Sequence, residues 1–314
     1  MKKILVVGGS GYVGGNIVNL LLKKKNKFKV TVLDSLLYEE QYFKNCNFVN
    51  CDIRDKQKLK SIISKYDVVI WLAAIVGDGA CNINPLVTAE VNLDSIKFLK
   101  KIFKKRIIFF STCSVYGAQD GLLTENSKTN PLSIYAQTKL EAEKILDGTN
   151  SIIFRLGTLF GLSDQFSRTR MDLVVNTLCA KAFSEKRIEV FGGAQYRPLL
   201  HVKDAARAVI FALNSNKKGI FNLCYKNMKI IDIAKKIKNS FKNIKLKKVD
   251  AKFQDTRNYQ VSDAKVRKIL GFKAIYSVNY GIAELKKILE SGRIKDLNNP
   301  RYTNQKYLEV FSKK

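Results

Sequence analysis

Tyr135 and Lys139 are the residues of this chain whose types and spacing point most directly to proton transfer. They stand four positions apart in a segment of helical periodicity, residues 135–146, so their side chains share one face of a helix. An ammonium group beside a phenol favours the phenolate and lowers a pKa that is about 10 in free tyrosine. The pair therefore predicts a tyrosine base that is active near neutral pH.

Thr112 follows the predicted strand 106–110, where its hydroxyl can hydrogen-bond the same substrate oxygen as the tyrosine. Each of these three residues also has an ordinary structural interpretation, because Tyr–Lys pairs are common on helix surfaces and threonine often occupies turns. His201, the only histidine, lies in an apolar stretch and is interpreted as a packed structural residue rather than a base. The chemical interpretation therefore depends on the surrounding elements.

A glycine-rich turn follows the first apolar run of the chain. Gly8, Gly11 and Gly14 have the spacing G-x-x-G-x-x-G between a β-like run and the helical pattern 16–22. The first glycine permits the turn, the second a close approach of the backbone to a ligand, and the third close packing of helix on strand. The N-terminal N–H groups of the helix favour an anion, most simply a pyrophosphate.

Asp34 ends the second β-like run, residues 28–33, at the distance beyond the turn where a dinucleotide site places an acid on the ribose 2′-OH. A carboxylate there repels a 2′-phosphate, so NAD is favoured over NADP. The alternative is an ordinary glycine turn with a solvated acid behind it. Because strand, glycines, helix and acid occur in the required order, we interpret the segment as a dinucleotide site.

Strand-like and helix-like segments alternate through the N-terminal half, which is typical of a doubly wound α/β fold with a parallel, Rossmann-type sheet. The apolar run 67–74 reads as a strand buried on both faces, and residues 75–85 read as a loop. The remaining predicted segments are strands 47–51 and 151–156 and helices 56–65 and 86–105.

Beyond Gly161 the pattern loosens into a polar loop, residues 162–170. We therefore predict a cofactor domain, residues 1–161, and a smaller α/β substrate domain, residues 162–314, some of whose segments return to pack on the first. The predicted elements of this half are helices 172–184, 205–213, 230–241 and 278–289 and the strand 187–191.

Composition narrows the class of protein. The chain has 314 residues and 46% hydrophobic residues, which suits a globular protein. It has no apolar run long enough to span a membrane and no signal-like N-terminus, so we expect a cytoplasmic protein without a membrane partner. Six cysteines without C-x-x-C spacing and one histidine argue against a metal site.

The net charge of +29 raises the alternative of a nucleic-acid-binding protein, because basic surfaces bind phosphate backbones. Lysine, however, outnumbers arginine and is spread over helix faces. There is no basic arm and no alternation of basic and aromatic residues. Nucleic-acid binding is therefore disfavoured.

Taken together, the motifs resemble the extended short-chain dehydrogenase/reductase family, and more narrowly its NAD-dependent epimerase/dehydratase branch, which acts on nucleotide sugars. The matching segments, in family order, are GGSGYVGG, DIRD, LAA, STCSVYG, YAQTK, RPLLHVKDAARA and DTRNYQVSDAK. The resemblance extends from residue 3 to about residue 289. The chain from Lys295 onward matches nothing in the pattern.

The resemblance implies that Tyr135 is the general base, that Lys139 orients it and holds the nicotinamide ribose, and that Thr112 polarises the substrate oxygen. Asp34 and Asp52 would contact the adenosine. The implied NAD-binding residues are Gly8, Gly11, Tyr12, Val13, Gly14, Asp34, Asp52, Ile53, Leu72, Ala73, Ala74, Asn92 and Lys139.

The implied second ligand is a nucleotide-diphosphate sugar, with Arg197 and Arg257 on its pyrophosphate. The implied substrate-binding residues are Thr112, Tyr135, Thr158, Asn176, Arg197, Arg257 and Tyr259. The resemblance also implies a homodimer in which helices 86–105 and 135–146 pair with their mates as a four-helix bundle.

Two departures from the family pattern bear on the reaction. Cys113 and Ser114 stand where 4,6-dehydratases carry Asp-Glu, which disfavours dehydration. Thr158 replaces an asparagine, which makes UDP-galactose chemistry doubtful. With IVGDGAC and RTRMDLVVN, the chain resembles epimerases and C4 dehydrogenases of bacterial surface-sugar pathways, some acting on GDP-heptoses.

The predicted function is NAD-dependent epimerisation of a nucleotide sugar through oxidation, most simply at C4, and re-reduction. A nucleotide-sugar 4-dehydrogenase or reductase, a dehydratase and, more distantly, a non-catalytic nucleic-acid-binding protein are the alternatives. The sequence leaves the nucleobase and the sugar open.

Overall fold

Short apolar runs form the strands of the central sheet, because residues such as those of Val68–Trp71 are buried on both faces. The computed structural model describes residues 1–39, 41–249 and 258–311. The strands are β1 (Lys2–Val7), β2 (Phe28–Asp34), β3 (Asn47–Asn50), β4 (Val68–Trp71), β5 (Arg106–Thr112), β6 (Leu122–Leu123), β7 (Ser151–Leu156), β8 (Thr158–Phe160), β9 (Arg187–Phe191), β10 (Tyr196–His201), β11 (Gly219–Leu223), β12 (Lys226–Lys229), β13 (Lys245–Val249) and β14 (Gln260–Val261).

Seven of these strands form one parallel sheet in the order β11-β7-β5-β4-β1-β2-β3. The strand order reverses between β1 and β4, which leaves a crevice at their carboxyl ends where ligands of doubly wound sheets bind. The predicted Rossmann-type fold is confirmed.

Some of the helices pack on the two faces of this sheet, and others belong to the second half of the chain. They are α1 (Gly14–Leu22), α2 (Lys56–Ile63), α3 (Asp78–Ile83), α4 (Pro85–Ala89), α5 (Ser95–Ile102), α6 (Ile134–Leu146), α7 (Val174–Glu185), α8 (Val202–Leu213), α9 (Ile230–Ser240), α10 (Ala264–Leu270), α11 (Val278–Glu290) and α12 (Asn304–Phe311). A π-helical stretch, Glu90–Asp94, joins α4 to α5, and 3-10 turns lie at Cys113–Tyr116 and Pro300–Tyr302.

Alternate residues of each strand fill two separate core layers, as the two-residue period of a strand requires. Ile4 and Val6 of β1 pack in the layer beneath α1 and α8. Leu5 and Val7 belong to the opposite layer, beneath α2 and α5. The central strands are thereby fixed from both sides, and their carboxyl ends form a rigid edge.

The second half of the chain builds a smaller unit from α7, α9 and α11 around the sheet β12-β10-β8 and the pair β13-β9. Parts of it return to the first half: β11 completes the seven-stranded sheet and α8 packs on α1. The domain boundary at residue 161 therefore stays a prediction. That prediction allowed some later segments to pack on the first domain, as β11 and α8 do.

Two predicted elements differ from the structure. Residues 75–85, predicted as a loop, contain α3. The predicted helix 86–105 begins at Pro85, is interrupted by the π-helical stretch and ends at Ile102. Local periodicity missed both features because they depend on contacts between distant residues, such as those of Asn92 with Ile75.

None of the helices in the described part of the chain combines the length and the apolar character that crossing a bilayer requires.

Candidate active site

A cavity of about 500 Å³ lies at the carboxyl ends of β1, β2, β4 and β5. It contains most of the residues that the sequence assigned to the cofactor, together with the predicted catalytic pair. The predicted residues in its wall are Gly8, Gly11, Tyr12, Val13, Gly14, Asp34, Asp52, Ile53, Leu72, Ala73, Ala74, Tyr135 and Lys139. The structure therefore brings the two predicted sets of residues into one site.

The three glycines of the turn have different physical roles. Gly8 has φ +84°, and a Cβ there would lie 2.6 Å from the backbone nitrogen of Ala73. A Cβ on Gly14 would collide with the carbonyl oxygen of Gly8. A Cβ on Gly11 would meet only that carbonyl oxygen, at an ordinary 3.5 Å. Gly8 and Gly14 are thus required by the fold, whereas the open side of Gly11 belongs to the cavity.

Substitutions at two of these glycines should separate ligand binding from folding. We expect Gly11→Ala to weaken NAD binding about tenfold or more with little loss of stability, because its methyl group takes space in the cavity. Gly14→Ala should lower the free energy of unfolding by about 1–3 kcal/mol, because the added methyl overpacks the turn. Calorimetric titration with NAD and urea denaturation measure the two effects. Unchanged NAD affinity in Gly11→Ala would contradict this assignment.

Asp34 is fixed at the end of β2 by two backbone donors. Its Oδ2 accepts a hydrogen bond from Ser10 N and its Oδ1 accepts one from Leu36 N, each at 2.9 Å. Burial raises the pKa of this carboxyl group, and the two N–H donors act in the opposite direction. The carboxylate lies beside the glycine turn, at the place where a ribose hydroxyl would be recognised.

The lining of the cavity fits the predicted dinucleotide in two further respects. The open side of Gly11 leaves room for a close approach of a diphosphate. Among the described residues, the Tyr38 hydroxyl is buried in the cavity wall without a hydrogen-bond partner. Because buried polar atoms are normally paired, a ligand oxygen is a suitable partner for this hydroxyl.

Asp52 and Ile53 form the opposite rim of the cavity. Arg54 donates hydrogen bonds to the Asp52 carboxylate, the shortest at 2.7 Å, and also reaches Glu90. These hydrogen bonds hold the pKa of Asp52 below its usual range. Asp52 is therefore an ionised acceptor at the rim where an adenosine was predicted.

Asn92 is a predicted cofactor residue that the structure places outside the described cavity wall. Its Oδ1 accepts from Ile75 N at 2.9 Å, and its Nδ2 donates to Ile75 O at 2.9 Å and to Thr138 Oγ1. Both ends of its amide are used within the protein. Asn92 thus holds the segment after β4 against α6, which positions the cavity wall.

Tyr135 is presented to the cavity by the start of α6, where Ser133 Oγ accepts from Ala136 N at 3.2 Å and caps the helix. The Thr112 side chain lies close enough to Tyr135 to influence its hydroxyl, and Thr112 Oγ1 accepts a hydrogen bond from Ser114 N at 3.1 Å. Burial raises the pKa of Tyr135, whereas the positive charge of Arg170 and the Thr112 hydroxyl act to lower it. Of these two predicted catalytic residues, Tyr135 lines the described cavity wall and Thr112 does not.

Lys139 lies one helical turn farther along the same face. Its Nζ donates to the carbonyl oxygen of Phe110 at 3.0 Å and lies 4.8 Å from the centre of the Phe109 ring. Burial lowers the pKa of Lys139 to about 8. The sequence assigned the lowering of the Tyr135 pKa to Lys139; in the structure the Arg170 guanidinium is a cation that has this effect.

Most of the predicted substrate-binding residues, unlike the predicted cofactor residues, do not line the cavity. Thr158 lies half-buried in β8, and Tyr259 is buried with its hydroxyl 3.5 Å from Ser114 Oγ, close to Thr112 in sequence. Arg197 is buried and donates to Tyr196 O at 2.8 Å. These residues, with Asn176, lie outside the described cavity wall, and Arg257 lies outside the described residues.

Asn176 has a structural role in its surroundings. Its Oδ1 accepts from Gly161 N, and its Nδ2 donates to Gly161 O, both at 3.0 Å, and to Arg170 O at 2.7 Å. The Tyr12 hydroxyl also donates to Gly161 O, at 2.7 Å. Asn176 therefore fixes the loop that carries Arg170 against the glycine turn.

Sequence reasoning missed two groups of cavity residues. Arg168 and Arg170 are buried in the wall, and Asn304, Leu308 and Phe311 reach it from the C-terminal end. The arginines had a signal, since two arginines in RTRMDLVVN are conspicuous in a lysine-rich chain. The C-terminal residues had no signal, because no motif covers them.

Comparison with known proteins agrees with this geometry. The model of the NAD-dependent epimerase/dehydratase family matches residues 4–224. A UDP-glucuronate 4-epimerase of Thermodesulfobacterium geofontis is 30% identical over 247 residues, which cover 71% of this chain and 75% of the relative. A UDP-glucose 4-epimerase of Lactobacillus helveticus is 28% identical over 270 residues, covering 75% and 81%.

The fold is also that of a solved structure, the UDP-glucose 4-epimerase of Thermotoga maritima with UDP-glucose. The TM-score is 0.80 at 21% identity, and the match covers 92% of this chain and 99% of the other. The resemblance inferred from the motifs is thus confirmed, and NAD is the cofactor. The chain belongs to the NAD-dependent epimerase/dehydratase family and is an enzyme of that family.

Proposed function

We propose that this enzyme epimerises a nucleotide sugar by oxidising a sugar hydroxyl, most simply at C4, and re-reducing the ketone on its other face. The observation that carries the proposal is that Tyr135 lines the same cavity as the glycine turn and Asp34, with the Thr112 side chain near its hydroxyl. The names of the relatives support a 4-epimerase and a nucleotide-sugar substrate. The motifs support a role in making surface-polysaccharide sugars.

In the proposed oxidation, Tyr135 takes the hydroxyl proton while Thr112 holds the same oxygen by a hydrogen bond. NAD, which the glycine turn and Asp34 would hold, would supply the acceptor for the hydride of the sugar carbon and the donor for the re-reduction. The positive charge of Arg170 in the cavity wall favours the phenolate over the phenol. Tyr135 then gives its proton back when the ketone is reduced, so the enzyme ends in its starting protonation state.

Residues after Thr112 argue against a dehydratase. Cys113 is buried, its Sγ donates to Arg155 O at 3.3 Å, and burial raises the pKa of its thiol well above the usual range. Ser114 offers only a weakly acidic hydroxyl. Neither residue supplies the strong acid that elimination of water requires, so the keto sugar would keep all its oxygens.

The charge of Arg170 gives a prediction about pH. Because a cation lowers the Tyr135 pKa and the base acts when deprotonated, we expect Arg170→Met to shift the rise of kcat/KM to higher pH. Arg170→Lys should retain part of the parent profile. Arg267→Met, at an exposed arginine of α10, is the matched control and should leave the profile unchanged. An identical profile in Arg170→Met would contradict the assigned effect of this charge.

A homodimer formed through α4, α5 and α6 is part of the proposal. Leu86 of α4 is 79% exposed, which a second copy of the helices would cover. We expect light scattering to give twice the chain mass of 35.6 kDa, and Leu86→Glu to shift the protein toward the monomer. Lys238→Glu, at an exposed site of α9 outside these helices, controls for the added negative charge. A parent protein that is monomeric at micromolar concentration would contradict the dimer.

Turnover of a substrate panel tests the proposed function. The protein is incubated with UDP-, GDP-, CDP- and dTDP-sugars while NADH absorbance and product stereochemistry are followed. An inverted sugar without accumulated NADH is the expected result. A released keto sugar with accumulated NADH would identify a 4-dehydrogenase instead, and binding of nucleic acid without NAD would favour the basic-protein alternative.

A further inference from the structure

The C-terminal segment, residues 300–311, forms one wall of the cofactor cavity although it lies outside every recognised motif. It consists of the 3-10 turn Pro300–Tyr302 followed by α12. Asn304, Leu308 and Phe311 of this segment line the same cavity as the glycine turn and Tyr135. A segment in this position can control how a ligand enters and leaves the cavity.

Asn304 is the centre of the contacts that hold the segment. It is 4% exposed, its Nδ2 donates to Val76 O at 2.7 Å, and its backbone N donates to Asp172 Oδ2 at 2.8 Å. Its Oδ1 accepts a hydrogen bond from Arg168, which also donates to Arg301 O at 2.6 Å. One side chain and its backbone thus join three parts of the chain.

Arg168 connects these contacts to the ribose side of the cavity. Its guanidinium lies 4.0 Å from the centre of the Tyr38 ring, and its backbone N donates to Glu39. The Tyr38 ring in turn lies 5.1 Å from the ring of Tyr307 on α12. The segment is therefore held on the side of the cavity that follows β2.

Leu308 attaches the segment to the opposite wall. It packs against the buried cluster of Ile75, Ala80 and Cys81, which Tyr135 also contacts. The segment consequently bridges the cavity from the loop after β2 to the neighbourhood of the catalytic tyrosine. Only a small part of the segment is buried, since Gln305, Lys306, Glu309 and Val310 are exposed.

We propose that the C-terminal segment is a latched cover of the cofactor cavity, with Asn304 and Arg168 as the latch, and that NAD exchanges only when the latch opens. The proposal rests on the proposed placement of NAD in this cavity. α12 has only eight residues, too few for a stable isolated helix, so the latch contacts hold it in place. A segment with so few buried contacts opens more readily than the sheet.

The functional consequence is retention of the cofactor between the two hydride transfers. An enzyme that oxidises and then re-reduces the same sugar needs the reduced cofactor to stay bound while the keto sugar rotates to present its other face. A closed cover slows dissociation without adding a contact to the reacting atoms. Asn304 and Arg168 are thus positioning residues.

The test measures how fast NADH leaves the full-length protein. The protein is loaded with NADH, mixed with excess NAD, and followed by the loss of bound-NADH fluorescence. We expect Asn304→Ala and Arg168→Lys each to raise the dissociation rate about tenfold or more, because each removes hydrogen bonds of the latch. The double variant should release NADH no faster than either single variant, because both changes open the same latch. Lys306→Ala, an exposed site on the same helix, should match the parent.

The outcomes separate the cover from the placement of NAD. A parent that binds no NADH would overturn the placement itself. A parent that binds NADH, with Asn304→Ala releasing it at the parent rate, would overturn the cover alone. Faster release in Arg168→Lys but not in Asn304→Ala would also overturn it, because Arg168 would then hold the cofactor directly. Leu308→Ala, measured alongside with thermal melts of every variant, gives a second route should Asn304→Ala fold poorly.

Discussion

Tyr135→Phe is expected to lower kcat for nucleotide-sugar turnover by roughly 10²- to 10⁴-fold while the affinity for NAD stays at the parent value. The phenylalanine keeps the ring and the start of α6 but removes the hydroxyl that lies near the Thr112 side chain. Proton removal from the sugar then has no positioned acceptor. Steady-state kinetics on a substrate that the parent accepts and calorimetric NAD titration measure the two quantities.

Tyr66→Phe is a matched control, because Tyr66 lies outside the cavity wall and its change removes the same atom. It should turn over substrate at the parent rate. Near-normal turnover in Tyr135→Phe would show that another group is the base, and the proposed mechanism would then be wrong.

Arg155→Met is expected to lower the free energy of unfolding by about 3–5 kcal/mol, because it leaves a buried carboxylate without its partner. Arg155 Nη2 lies 2.6 Å from Glu143 Oε2, and both side chains are almost completely buried. Glu143 belongs to α6, one turn beyond Lys139, and also accepts a hydrogen bond from Ser111. The ion pair therefore anchors α6, which carries Tyr135 and Lys139, to β5 and β7.

Urea denaturation of Arg155→Met and of the double variant Arg155→Met/Glu143→Leu measures this effect. We expect the double variant to recover much of the lost stability, because replacing both charges leaves no uncompensated ion in the core. Lys144→Met, at the exposed ion pair of Lys144 with Glu141, should cost under about 1 kcal/mol. A loss in Arg155→Met as small as in this control would contradict the assigned role.

The sequence predicted those parts of the molecule that follow from local pattern. Residues 28–33 read as a strand because they are rich in residues that favour strands, and residues 106–110 because buried parallel strands are near-continuous apolar runs; both are strands in the structure. Gly8, Gly14 and the pair Tyr135–Lys139 were recognisable because the turn and the helix each impose a fixed spacing.

Other parts depend on side chains that meet across long stretches of chain. The hydrogen bond of Asn304 to Val76 O joins residues 228 positions apart, and that of Asn176 to Gly161 ties a helix to a distant loop. No periodicity marks such partners. For the same reason the effect of Arg170 on Tyr135 was assigned to Lys139, the cation that spacing alone placed nearby.

The most direct measurement of the central claim follows the hydrogen that leaves the sugar. The panel member that turns over is prepared with deuterium at C4 and converted by the enzyme in ordinary water, and the product is examined by NMR. If bound NAD removes and returns this hydrogen, the inverted sugar keeps its deuterium at C4. A product that is inverted but carries solvent hydrogen at C4 would contradict the account, because the inversion would then proceed without hydride transfer.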